Sequence, residues 1–338
     1  MERRYVLRAA AAAIAAFAFG GSTEGLPSSA SAQQLTPVTV RLAFNYNGHR
    51  SPYLLGKDKG FYAEEGLDVQ VLEGKGVTSS MQLVASKQDT FAIVDPPSLM
   101  LGVAQGMPLR TVVQLYQRSP NAVTSWASAN ISKPADLVGK TVATLQGDTT
   151  TTMLYALLAR NGIDAGKVRI VASDGGTRNQ TFLAKRAEAI TGFTNDSYLS
   201  LRATVNEPLA VFPYSDFGID TMGDGVVAHS DTIRTNPKLV AGFVRATLRA
   251  YRHAIEHPEE SIQSLMKVAP TLKPDVEVAK LKATGPLLES ADTKQHGVGY
   301  SSKEKWQAAQ ELMLQFGGLS KKVDDVSVLY TNEFLPKK

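Results

Sequence analysis

Residues 40–76, VRLAFNYNGHRSPYLLGKDKGFYAEEGLDVQVLEGKG, read as strand, polar loop, helix and strand with no residues to spare. Val40, Leu42 and Phe44 alternate with Arg41 and Ala43, the period of a half-buried strand. The strand runs into Asn45, Tyr46, Asn47, Gly48 and His49, a loop dense in hydrogen-bonding groups. Residues 52–58 are predicted as a helix stopped by Gly60, and 61–65 as a short turn stopped by Gly66. Leu67, Val69 and Val71 then alternate as a second strand. A polar loop at the carboxyl end of a strand is where open α/β sheets bind small molecules.

Working outward, the same unit repeats in kind. Thr78, Ser79 and Ser80 precede the apolar positions Met81, Leu83 and Val84 and are expected to cap a helix. Residues 91–94 form a short buried strand ending at Asp95, Pro96 and Pro97 open the next helix, and 109–116 are a further strand. Beyond Asn121 the pattern resumes with strands at 141–145, 168–172 and 189–193. Asp148 and Asp174 stand at the start of the helices that follow the first two, as N-caps do. Such a βαβ series implies a mostly parallel sheet with helices on both faces. The chain then returns through 223–228 to a long amphipathic helix from Asn236 to Pro258. Two more helices follow, near 274–289 and 303–316, the last introduced by Ser301-x-x-Glu304, the pattern of a capping box.

With 338 residues the chain is long enough for two domains, each with its own core. Hydrophobic and charged fractions of 43% and 20% are those of an ordinary globular protein. The net charge of +4 is spread without a Lys/Arg run, which argues against nucleic-acid binding. Arg3, Arg4 and Arg8, the apolar stretch 9–19 and Ala30-Ser31-Ala32 predict a secretory signal peptide over residues 1–32. That apolar stretch is too short to span a bilayer, which takes about 20 residues. The paired arginines fit twin-arginine export, although Glu2 stands where Ser or Thr is usual, and the general pathway remains open. There is no cysteine, so no lipid-bearing cysteine is available, and the mature chain is expected free in the periplasm.

Several phrases together carry a resemblance: GFYAEEGLDVQV, QLVASKQDTFAIVDPPS, Gln105-Gly106-Met107-Pro108, ISKPADLVGKTVAT and NPKLVAGFVRATLRAYRHAIEHPEES. In this order they resemble the periplasmic solute-binding proteins of ABC importers for nitrate, sulfonates, taurine and thiamine-pyrimidine precursors. The resemblance covers nearly all the chain beyond residue 38. It implies an α/β fold, the two-lobed type II periplasmic-binding-protein fold with a central cleft and hinge. Lobe 1 is expected from 38–125 with 226–338, and lobe 2 from 126–225. It also implies a monomer that closes on a solute and delivers it to the membrane permease of an ABC importer.

The expected solute contacts are Asn45, Tyr46, His49, Ser79, Ser80 and Asp95 in the first lobe. Trp126 stands at the crossover, and Thr149, Thr150, Thr194, Asn195 and Asp196 are the expected contacts in the second lobe. Carboxylates that follow strands oppose an anionic guest, which favours a nitrogen-containing heteroaromatic with N–H donors, such as a pyrimidine precursor. Tyr46 and Trp126 are the rings expected to face it. The alternative is an alkanesulfonate, taurine or nitrate receptor, for which helix N-termini would supply amides. An exported enzyme using His49 is the rival from another class. The enzymes that share the resemblance, pyrimidine synthases and aryl sulfinate desulfinases, depend on cysteines that this chain lacks. His253 and His257 have a spacing that can hold zinc, but no HExxH pattern supports it, and Gly74-Lys75-Gly76 lacks P-loop spacing. No metal, cofactor or catalytic residue is therefore assigned.

Overall fold

The structure is a computed structural model that describes residues 34–337. The signal segment expected at 1–32 lies outside the described residues. The strands are β1 (Thr36–Arg41), β2 (Leu67–Leu72), β3 (Phe91–Val94), β4 (Leu109–Val113), β5 (Asn121–Trp126), β6 (Thr141–Leu145), β7 (Arg169–Ser173), β8 (Ala189–Phe193), β9 (Leu209–Pro213) and β10 (Gly225–His229). The first half carries helices α1 (Ser51–Asp58), α2 (Phe61–Glu64), α3 (Val77–Ala85), α4 (Pro96–Ala104), α5 (Thr149–Arg160), α6 (Gly175–Leu183) and α7 (Ser197–Arg202). The second half adds α8 (Ser230–Thr235), α9 (Pro237–Glu256), α10 (Pro258–Val268), α11 (Pro274–Thr284), α12 (Ala291–His296) and α13 (Lys303–Gln315).

Two five-stranded sheets result, in the orders β2-β1-β3-β10-β4 and β7-β6-β8-β5-β9. Each is mixed rather than mostly parallel. In the first sheet β1 runs parallel to β2 and β3, but β10 is antiparallel to β3 and β4. In the second, β6 runs parallel to β7 and β8, whereas β5 is antiparallel to β8 and β9. The odd strand has the same cause in both. β5 and β10 are the strands by which the chain enters one sheet directly from the other, with no crossover helix to reverse it. β9 pairs along β5 and has no counterpart in the sequence reading.

The apolar alternation fixes which face each strand buries. Val38 and Val40 of β1 are fully buried, as are Leu67, Val69 and Val71 of β2, while Asp68 and Gln70 point outward. Helix α9 lays Val240, Phe243, Val244, Thr247, Leu248 and Tyr251 against this surface. Phe243 is its anchor, stacked 4.0 Å from Phe91 and 5.5 Å from Tyr62 between ring centroids. A second cluster joins the other face of the first sheet, through Val94, Leu99 and Val227, to the core around Met153, Leu154 and Leu157 of α5.

Helix starts follow the chemistry of their first residues, with two corrections. Asp95, Asp148 and Asp174 cap α4, α5 and α6 by accepting from the amides of Ser98, Thr150 and Thr177. Helix α3 begins one residue before the expected Thr78-Ser79-Ser80 cap. Gly76, at φ +119°, turns the chain there, and the hydroxyls of Ser79 and Ser80 bond back to its carbonyl at 2.9 and 3.0 Å. The N-cap of α13 is Ser302, not Ser301, so the expected box does not form. The Glu304 carboxylate accepts from the Ser302 hydroxyl at 2.8 Å instead.

Truncating Phe243 to alanine removes the ring between Phe91 and Tyr62 and leaves a void in the main core. Loss of about 3–5 kcal/mol is expected, measured by denaturant unfolding at neutral pH.

Candidate functional site

Both sheets have a switch point, where neighbouring parallel strands send their connections to opposite sides: between β1 and β3 in the first, and between β6 and β8 in the second. The crevice outside such strand ends is the favoured ligand position in open α/β sheets. The residues that leave these ends are 42–50 and Asp95 from the first sheet, and 146–149 and 194–196 from the second. They meet each other directly. The Asp95 carboxylate accepts from the Ser98 amide and hydroxyl, both at 2.9 Å, and from the Thr149 hydroxyl of α5 at 2.7 Å. A small cavity of about 10 Å³ lies beside this junction, with Asp95, Asn121, Thr149, Phe193, Met222 and Asp224 in its wall. Its free space is about that of one water molecule.

A buried ion pair stands behind the cavity. The Arg50 guanidinium donates to Asp224 Oδ2 through Nη2 at 2.9 Å and Nε at 3.2 Å. Burial works against the charge on Arg50, but Asp224 outweighs it and the guanidinium is held more firmly protonated than usual. The cavity wall itself carries the carboxylates of Asp95 and Asp224 and no basic side chain.

His49 is 1% exposed, and neither ring nitrogen has a hydrogen-bond partner. Nδ1 lies 4.0 Å from Asp196 Oδ1, and the rings of Tyr116 and Phe193 flank the imidazole at 6.5 and 6.2 Å. Burial, and next the positive charge of Arg50, push its pKa down to about 4. At neutral pH it is an uncharged ring with one donor and one acceptor. Two carboxamide oxygens on the same loops, Asn47 Oδ1 and Asn195 Oδ1, are also buried without partners. Unsatisfied buried polar atoms are rare and costly, and these belong to the loops that leave β1 and β8.

Helix α11 supplies the third side. Glu277 Oε2 accepts from the Gly48 amide at 2.5 Å, and Glu277 Oε1 from Lys280 Nζ at 2.7 Å. Lys280 Nζ also lies 3.0 Å from Asp196 Oδ1, and Asn195 Nδ2 donates to Thr284 Oγ1 at 3.0 Å. Burial alone would raise the Asp196 pKa, but Lys280 and His49 bring it down to about 2. The β1 loop meets the helix with no room to spare. A Cβ on Gly48 would stand 2.0 Å from the Glu277 carbonyl oxygen.

The expected contacts are thus distributed unevenly. His49, Asp95, Thr149, Asn195 and Asp196 come together at the junction. Thr150 lies beneath it, its hydroxyl bonded to Asp148, and the Thr194 amide donates to the Pro120 carbonyl at 2.9 Å. Asn45 is exposed on the β1 loop. Tyr46 turns to the edge of the first sheet, its hydroxyl donating to the Val71 carbonyl at 2.8 Å. Ser80 braces the end of β1 through the Leu42 carbonyl at 3.1 Å, and Ser79 bonds within its own helix. Trp126 stands at the far end of β5 from Asn121, stacked 4.7 Å from Phe182 in a separate small core. Sequence reasoning missed Arg50, Asp224, Glu277, Lys280 and Thr284. The Glu277/Lys280 spacing of three was the only local signal, and on a helix it reads as a solvent-facing pair.

Asp95 and His49 oppose each other in pH dependence. Burial raises Asp95 to about 6 despite its hydrogen bonds, so its contribution to stability is present below pH 3.8 and lost as pH rises through 6. The lowered His49 contributes above pH 6.5 and loses that contribution as pH falls towards 4. Each amounts to about 3 kcal/mol at most, so between pH 4 and 6 these two contributions are expected to cancel. Asp95→Asn uncovers the His49 component, and its melting temperature should fall on acidification. His49→Gln uncovers the opposite slope. Calorimetric scans of the three proteins over that range measure both.

Comparison with known proteins agrees with this architecture. The riboflavin-binding protein RibY of Chloroflexus aurantiacus is 28% identical over 310 residues, covering 89% of this chain and 87% of the relative. The formylaminopyrimidine-binding protein of Halalkalibacterium halodurans is 24% identical, covering 81% and 84%. A Legionella pneumophila relative, 24% identical over 88% of this chain and 92% of its own, is named 4-amino-5-hydroxymethyl-2-methylpyrimidine phosphate synthase. Among solved structures, the alkanesulfonate-binding protein SsuA of Xanthomonas axonopodis pv. citri superposes with a TM-score of 0.69 at 15% identity, covering 88% of this chain and 99% of that one. The fold is accordingly the α/β periplasmic-binding-protein fold. Residues 47–261 match the family model described as NMT1/THI5 like, and the chain belongs to that family.

Proposed function

We propose that this protein is a periplasmic solute-binding protein that captures a nitrogen-containing heteroaromatic molecule and passes it to the permease of an ABC importer. One observation carries the reading of the solute. The neutral imidazole of His49 and the carboxamide oxygens of Asn47 and Asn195 are buried and unpaired, and they offer one donor and several acceptors. A heterocycle with alternating N–H groups and ring acceptors would satisfy them. The relatives named for riboflavin and formylaminopyrimidine bind solutes of this chemistry.

An alkanesulfonate or nitrate is the second reading, and the superposition on SsuA favours it. Charge opposes it. Nitrate or a sulfonate would enter beside Asp95 and Asp224 with no basic group in the cavity wall, and the nearby cations Arg50 and Lys280 are already engaged by carboxylates. A receptor is preferred to an enzyme because the chain has no cysteine to act as nucleophile or iron ligand.

The mechanism we propose takes the chain as two lobes. One carries the first sheet and the C-terminal helices, and the other carries β5–β9. The chain passes between them at 114–120 and again at 214–224, and bending at these two segments would open the cleft. Among the described residues no helix is long and apolar enough to cross a membrane. Export through the signal at 1–32 and action as a monomer complete the proposal.

Native mass spectrometry of protein purified without refolding is expected to show a retained heteroaromatic solute. Titration calorimetry should then show binding of riboflavin or a formylaminopyrimidine, and none of nitrate or taurine. Tight nitrate or taurine binding would overturn the ligand class, and conversion of the solute during incubation would overturn the receptor reading. His49→Phe keeps the ring and removes both nitrogens. Neutral hydrogen bonds contribute about 0.5–1.5 kcal/mol each, so affinity should fall about tenfold.

A further inference from the structure

Helix α11 belongs to the C-terminal part of the chain, yet of its buried side chains only Leu281 is apolar. Glu277, Lys280 and Thr284 are 2%, 5% and 0% exposed. A helix that buries an acid and a base beside Leu281 gives up much of the apolar packing that such a face ordinarily provides, so these side chains need another reason to be there. Their partners supply one. Glu277 holds the amide of Gly48, on the loop that leaves β1. Three residues along, Lys280 bridges Glu277 to Asp196, on the loop that leaves β8. One turn further, Thr284 accepts from Asn195. A single face of eight residues thus grips the switch-point loops of both sheets.

We infer that α11 is a clasp: the Lys280–Asp196 ion pair and the Asn195–Thr284 hydrogen bond draw the second-sheet loop onto the first-sheet body without any contribution from a solute. The bonds are protein to protein, and each joins a β8-loop residue to α11. Lys280 is therefore a positioning residue. It sets Asp196 beside His49, and it keeps that carboxylate ionised by compensating the cost of its burial. The clasp has a counterpart on the opposite side of the cavity, where Asp95 of the first sheet accepts from Thr149 of the second. Beside the apolar contact of the first sheet with α5, hydrogen bonds at these two places join the two sheets' loops, and among the described residues the ion pair is on the α11 side. The inference does not depend on which solute the cleft takes.

The absence of cysteine allows a clean test. Thr78 and Gln180 are exposed, on α3 of the first-sheet body and α6 of the second. Cysteines placed at both carry spin labels without background labelling, and protein unfolded in denaturant, washed free of solute and refolded, with no retained mass by native mass spectrometry, gives the distance distribution across the cleft by pulsed electron resonance. The parent pair is expected to show a dominant short distance. Lys280→Met and, separately, Thr284→Val should move the population towards a longer one. Loss of the charge-assisted bond shifts the equilibrium about tenfold or more and loss of the neutral bond less. Lys280→Arg should retain the short distance. Cooperative melting of each variant confirms that it is folded, and Thr284→Val serves if Lys280→Met is not. A dominant long distance in the parent pair, or distributions in the folded variants that match the parent, would overturn the inference. Because no solute is added, either result leaves the ligand-class test untouched.

Discussion

The buried pair of Arg50 and Asp224 is the interaction on which the site depends. It ties the loop that leaves β1 to the segment that leads into β10, and so joins the first strand of the first sheet to the last one added to it. Removing one partner would leave a bare charge in a low-dielectric interior, at a cost of about 3–5 kcal/mol. Two other features follow from it. The positive charge of Arg50 helps keep His49 neutral, and Asp224 becomes part of the cavity wall. The neutral state of the ring and the second carboxylate of the wall both involve this one ion pair.

The surrounding electrostatics are arranged so that charge is matched behind the loops while neutral groups are left unmatched at their tips. Arg50 is spent on Asp224, and Lys280 on Glu277 and Asp196. What stays unpaired is an imidazole and two carboxamide oxygens. Neutral hydrogen-bonding groups are cheaper to desolvate than ions, and they discriminate by direction. In the solute reading proposed above, such a site would select by the order of donors and acceptors along a molecule's edge, since an analogue lacking one of them leaves a buried group unsatisfied.

Much of this was legible in the chain, and what was not has identifiable causes. The alternation in β2 and the apolar face of α9 could be read because burial on one face imposes a period. The Asp caps of α5 and α6 could be read because a carboxylate before a helix has a local reason to be there, whereas Asp95, read as a solute contact, also caps α4. The antiparallel placement of β5 and β10 left no local trace, since strand direction depends on where the chain was previously. Glu277 and Lys280 were hidden because a buried ion pair and an exposed one have the same spacing. Trp126 illustrates a third cause: an aromatic near a strand end has the same sequence whether it stacks on Phe182 or on a guest. Residues beside the cavity were easier to find than those that hold it, because loops at strand ends are set by topology and their supports come from distant helices.

The close approach of Gly48 to α11 has a consequence for how such a site can change. With the Glu277 carbonyl oxygen 2.0 Å from where a Cβ would stand, one methyl group would act as a wedge between the β1 loop and the helix. It would part the Gly48–Glu277 bond and carry Lys280 away from Asp196 at the same stroke. If the solute reading proposed above holds, variation in guest preference would proceed through the side chains at 47, 49 and 195, while position 48 is held to the hydrogen atom that glycine provides.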